Sequence, residues 1–176
     1  MKNIICVVLI LISIVIFGMR IYKGIVFKQN VSGYLKRAAT ATTIQLAHEQ
    51  LTKALDYLET ENLTSGYTSV FYETPDEDIG FWYRNLKASQ IELKNLNSES
   101  ALEKTNVLIK LRESLLSGEK GRATVPKGLS VYPNNKMWAA LMFFALLTSF
   151  FAIMIPVNES EKKAKEKTAA DKNNTI

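Results

Sequence analysis

Two apolar blocks constrain this chain more than any other feature. Residues 3–19 read NIICVVLILISIVIFGM without a charge, and residues 137–155 read MWAALMFFALLTSFFAIMI with only Thr148 and Ser149 polar. A bilayer core about 30 Å thick takes roughly 20 helical residues at 1.5 Å each. The second block meets that length, with Lys136 and Trp138 at its entry as interfacial anchors and Pro156 as its expected end. The first is slightly short. Ile21, Tyr22, Ile25, Val26 and Phe27 extend it if Arg20 and Lys23 turn their charges toward the headgroups. No small-x-small cleavage site follows it, since Phe17-Gly18-Met19-Arg20 comes next. An uncleaved signal anchor is therefore expected, with Cys6 as an apolar-facing thiol inside the span.

The expected division is a signal-anchor helix over 1–27, an extramembrane region over 28–135, a second span over 136–157 and a charged tail over 158–176. Two spans put both termini on one side of an inner (plasma) membrane. Arg20, Lys23 and Lys28 balance the lysines of the tail, so charge asymmetry decides little. The signal-anchor shape, with the ease of translocating long loops, favours cytoplasmic termini and a periplasmic or extracellular centre.

That central region reads as all-α. Tyr34, Ala38, Ala41, Ile44, Ala47, Leu51, Leu55 and Leu58 advance by three or four residues, and Asn62, with Gly66 beyond, supplies a stop. Thr74-Pro75-Asp76-Glu77 has the form of a capping box with proline at the first helical position. Ile79, Leu86, Leu93, Ser100 and Val107 follow at seven-residue steps, and Ser117-Gly118 closes the run. Arms at about 34–61 and 75–116 would make a long antiparallel, coiled-coil-like hairpin, each arm with its approach about 63 Å long. Residues 117–135 would return along the surface. One apolar stripe per arm makes a thin core, so pairing with a second copy or a membrane-protein partner is expected to complete a four-helix bundle. Asn97 and Lys104 on the seam would set its register.

Composition narrows the chemistry. One cysteine excludes an intrachain disulfide framework and a cysteine-built zinc site, and one histidine removes most nucleophile-base arrangements. No catalytic residues, metal ligands or cofactor are expected. The net charge of +5 is spread along the chain, which argues against nucleic acid. Glu73, Asp76, Glu77 and Asp78 lack the spacing and glycine turn of a calcium loop. His48 reads as a structural histidine. The densest chemistry is aromatic: Tyr67, Phe71, Tyr72, Phe81, Trp82 and Tyr83 cluster at the hairpin tip. They would plug the end of the hairpin or form a partner- or ligand-binding patch.

The stretch YLKRAATATTIQLAHEQLTKALDYLE, with LTSGYTSV after it, resembles small two-span bacterial membrane proteins of unassigned activity. The plan of anchor, helical hairpin and second span is similar to the four-helix-bundle sensory region of bacterial receptors, without a signalling domain. That resemblance carries no activity, and the sequence as a whole reads as a non-enzymatic interaction or accessory-subunit module in contact with the lipid bilayer. The alternative is an extracytoplasmic ligand sensor with the aromatic tip as its pocket, signalling through a partner.

Overall fold

The computed structural model describes the backbone of residues 2–117 and 121–173, and the side chains of 4–117, 121–154 and 165. The expected closure at Gly118, and the side chains of the tail lysines other than Lys165, fall outside this description. The described chain is mostly helical, as the sequence leads one to expect. Its elements are α1 (Lys2–Phe27), a π-helical turn (Lys28–Ser32), α2 (Gly33–Ala39), α3 (Ile44–Thr60), α4 (Ile79–Asn95), α5 (Ala101–Leu115) and α6 (Asn135–Asn173). Strands β1 (Leu116–Ser117) and β2 (Arg122–Ala123) pair antiparallel, Leu116 opposite Ala123. The chain forms two compact units, Met1–Ile21 with Met137–Ile176, and Tyr22–Lys136.

The first unit contains the apolar blocks. Two stretches are helical, long and apolar enough to cross a membrane, Ile4–Ala39 and Asn135–Met154. Their outer faces expose Ile4, Val7, Leu11, Phe143, Phe150 and Ile153, while the shared face is small and polar. Ser13 Oγ lies 2.9 Å from Thr148 Oγ1 and donates to the Ala145 carbonyl at 3.2 Å, with Ala145 and Ala152 buried beside it. Small residues allow close backbone approach, and the hydroxyls bond across the gap. Ala145 is on this contact, whereas Ala140 is exposed. The helix does not stop at Pro156: α6 continues through it to Asn173, at the cost of one helical hydrogen bond.

In the second unit the expectation of two continuous arms needs correction, because each arm is two helices. The first breaks at residues 40–43. Thr40 Oγ1 bonds back to the Lys36 carbonyl at 3.0 Å as α2 ends, and Thr43, in an extended conformation, accepts the Leu46 N–H to cap α3. The second breaks at residues 96–100, where Ser100 accepts the Glu103 N–H and caps α5. Short hydroxyl side chains bond to nearby backbone and favour such caps over helix interiors. Asn97 and Lys104 are consequently exposed rather than on a seam.

Both breaks lie at the same end of the unit, so the arms double back together. The π turn and α2 lead away from Tyr22, and α3 returns against them. Its end, with Tyr57, Glu61 and Leu63, shares a cavity of about 270 Å³ with Tyr22, Lys23, Val26 and Phe27. Helix α4 runs antiparallel to α3: Gln90 bonds Thr52 at 2.8 Å, and Lys87 pairs with Glu59. Helix α5 packs on α2. One chain thus supplies all four helices of this unit. That core includes Val31, Leu35, Leu51, Leu55, Leu58, Ile79, Leu86, Leu93, Leu111 and Leu115.

Two turns are fixed by backbone chemistry. Asn62 takes φ 56° as α3 ends, and the Leu63 N–H reaches back to the Leu58 carbonyl at 2.7 Å, the left-handed stop expected there. Gly66 has φ 96°, and any Cβ there would collide with the Tyr132 hydroxyl. This pins the α3–α4 connector to the segment leading into α6.

Candidate functional site

Three edges of the four-helix unit are closely packed: α2 on α3, α3 on α4, and α2 on α5. The fourth is open, because α4 and α5 hardly approach each other at the level of the backbone. Between them lies a cavity of about 630 Å³. Phe81, Trp82, Asn85, Leu86 and Ser89 of α4 line one wall, Ser114 and Leu115 of α5 the other, and Thr124–Lys127 close one end. Lys110 reaches across the opposite end to both carboxylate oxygens of Glu92, at 2.9 and 3.0 Å. The size falls in the range of about 300–1,000 Å³ typical of ligand-accepting clefts.

Local sequence sets this geometry. Helix α4 begins at Ile79 rather than at Pro75, a correction to the expected start. Thr74 Oγ1 bonds the Glu77 carboxylate at 2.8 Å across a 3₁₀ turn, while Asp78 accepts the Phe81 N–H at 2.9 Å and is the true cap. Both acids border the cleft. The indole N–H of Trp82 donates to the Thr124 carbonyl at 2.9 Å, and the Thr124 N–H donates to the Leu115 carbonyl at 2.8 Å. Trp82 thereby ties α4 to the segment beyond α5, its ring flanking the opening.

The six aromatics do not converge on one pocket. Phe81 and Trp82 line the cleft. Tyr83 points toward α3, where its hydroxyl donates to Glu59 at 2.6 Å. Tyr67 pairs with Asp78 in an isolated β-bridge, and Phe71 and Tyr72 stand in solvent, 93% and 76% exposed. Their place differs too: the connector that carries Tyr67, Phe71 and Tyr72 returns to the end of the unit where Tyr22 lies.

The Tyr83–Glu59–Lys87 cluster is the main polar link from α3 to α4. Lys87, at 2.6 Å, and then the Tyr83 hydroxyl hold the Glu59 carboxyl below its ordinary range. Lys87 is raised in turn by Glu59. Tyr83 is raised first by burial and then by the same carboxylate. His48 is half-buried beside Glu49, whose own carboxyl is lowered by its bond to Lys53. Among the described residues, no three His, Cys, Asp or Glu side chains are grouped to hold a metal ion.

Sequence reasoning missed Lys110, Leu115, Val125 and Pro126 as cleft residues. The available signal was the apolar residues Val125, Pro126, Leu129 and Val131 in a return segment read as a surface loop. Comparison with protein families, with curated proteins and with solved structures finds nothing that matches this chain.

Proposed function

We propose that this chain is an integral membrane protein whose four-helix unit is a non-enzymatic interaction or accessory-subunit module. Two spans anchor it, both termini are cytoplasmic, and the helical unit faces the periplasm or cell exterior. The observation that carries the reading is the open α4–α5 edge. An apolar floor of Leu86 and Leu115, an aromatic wall of Phe81 and Trp82, and charges at both ends suit a partner segment with an apolar anchor and polar flanks. The resemblance to receptor sensory bundles supports the same plan, with output supplied by the partner.

The test is a photo-crosslinking residue at Asn85, exposed on the cleft wall, in the intact protein in its native membrane. The reading expects a defined crosslinked protein, lost on Trp82→Ala. Recovery of the uncrosslinked monomer alone contradicts it. A second reading, a sensor of a small, partly apolar ligand, is favoured by the cleft volume. On that reading added ligand shifts Trp82 emission while crosslinking is unchanged.

A further inference from the structure

The α3–α4 connector presents apolar rings that the four-helix unit does not use. Phe71 is 93% exposed and Tyr72 76%, with Phe81 and Tyr67 also open. Such a patch in a short loop marks a surface that something else covers.

The position of the loop identifies the cover. It is bound to the segment that leads out of the unit: Gly66 sits under the Tyr132 hydroxyl, and Thr68 packs at Gly128, whose carbonyl accepts from Asn135 at 3.0 Å. Asn135 is the first residue of α6. At the same end, Glu61 and Leu63 share a cavity with Tyr22 and Lys23, the residues that follow the first apolar block. Both passages from this unit into the apolar helices therefore lie at the end that carries the loop. The turns at 40–43 and 96–100 are at the other end. If the apolar helices cross a bilayer, the chain enters and leaves this unit near the headgroup layer at Tyr22 and Lys136, the end that carries the rings.

We propose that Phe71 and Tyr72, flanked by Tyr67 and Phe81, form a lipid-docking surface inserted into the interfacial layer of the bilayer. Aromatic rings favour that layer, where one side is apolar and the other wet. Exposed Tyr22, Lys23, Lys127 and Lys136 continue the same band of aromatic and cationic residues. Glu73, Asp76, Glu77 and Asp78 beside the rings offset Lys23, Lys127 and Lys136, so insertion is driven by the rings, proceeds in zwitterionic lipid and gains nothing from anionic headgroups. The surface holds the helical unit down on the membrane by a third contact besides its two covalent connections.

This inference rests on the membrane reading above, and the test separates the two. The full chain, with Cys6→Ser, is placed in phosphatidylcholine nanodiscs. Single spin labels are introduced through Leu11→Cys, Phe71→Cys, Tyr72→Cys, Thr42→Cys or Glu99→Cys. Relaxation by oxygen against a water-soluble nickel chelate reports depth. The proposal expects lipid-like ratios at Leu11, Phe71 and Tyr72, several-fold above water-like ratios at Thr42 and Glu99. It also expects no change when a third of the lipid is phosphatidylserine. A lipid-like Leu11 with Phe71 and Tyr72 matching Thr42 overturns the docking surface and leaves the spans. Labels at 71 and 72 shielded from both reagents also overturn it, since a protein then covers the loop. A water-like Leu11 overturns both readings.

Discussion

Thr43→Ala has opposite signs in the two architectures this sequence allows. In a continuous first arm Thr43 is a helix-interior residue, and alanine, the better helix former, stabilises the arm by roughly 0.5 kcal/mol. In the doubled-back arm Thr43 is an N-cap whose hydroxyl oxygen receives the Leu46 N–H at 3.2 Å. Its loss then costs about 1 kcal/mol, with 0.5–2 kcal/mol as the usual range for such caps. The site is exposed and the bond is at the long end, so the lower half of that range applies. Ser100→Ala repeats the logic at the second break, where the Glu103 N–H reaches Ser100 Oγ at 3.4 Å. The assay is amide exchange of the intact, reconstituted protein, read by mass spectrometry on peptides covering 41–50 and 98–106. A loss of about 1 kcal/mol appears as roughly fivefold faster exchange of the capped turn. Slower exchange in both variants would refute the breaks and restore straight arms.

Other consequences follow from individual side chains. Leu55→Ala, at a fully buried position, should cost about 2–5 kcal/mol in denaturant unfolding, against less than about 1.5 kcal/mol for half-exposed Leu46→Ala. Gly66→Ala combines a positive φ with the Tyr132 hydroxyl and should destabilise by more than about 1 kcal/mol, with partial relief from a second Tyr132→Phe change. Glu59 is depressed in the folded state, so its contribution is present above the unfolded carboxyl value and lost as pH falls through the folded one. Lys87 and Tyr83 are raised, so theirs is present below their unfolded values and lost as pH rises through the folded ones. The pair is largely solvated, so each limb is worth at most about 1 kcal/mol, and Lys87→Met should flatten the acid limb in pH-dependent unfolding. Thr148→Val removes the partner of Ser13 and should weaken pairing of the two apolar helices by about 0.6 kcal/mol in a steric-trap or exchange measurement.

The periodic positions were legible in the sequence because burial enforces them: Leu51, Leu55, Leu58, Ile79, Leu86 and Leu93 are all in the core. The stop at Asn62 was legible because few residues other than glycine adopt a left-handed backbone readily. The breaks at 40–43 and 96–100 were not, because the apolar period runs on through Ala41 and Ile44, and Ser100 falls on a seven-residue step. The competing signals were local, three threonines within 40–43 and the Ser100-x-x-Glu103 box, and they prevailed because capping bonds outweigh a polar seam. The breaks bring the aromatic loop to the end of the helical unit where Tyr22 lies, not to the opposite end that straight arms would give. The α4–α5 cleft was beyond reach, since it depends on which pair of helices is left apart.

The central claim is that the connector after α3 lies beside the residues that follow the first apolar block. A pair of spin labels at Lys23 and Glu61, both exposed, measures this directly in the reconstituted protein by pulsed dipolar spectroscopy. A continuous helix would separate them by about 57 Å, from 38 residues at 1.5 Å each. The doubled-back unit, in which both residues line one cavity, predicts less than half that distance. A distribution centred near the full helical length would contradict the account.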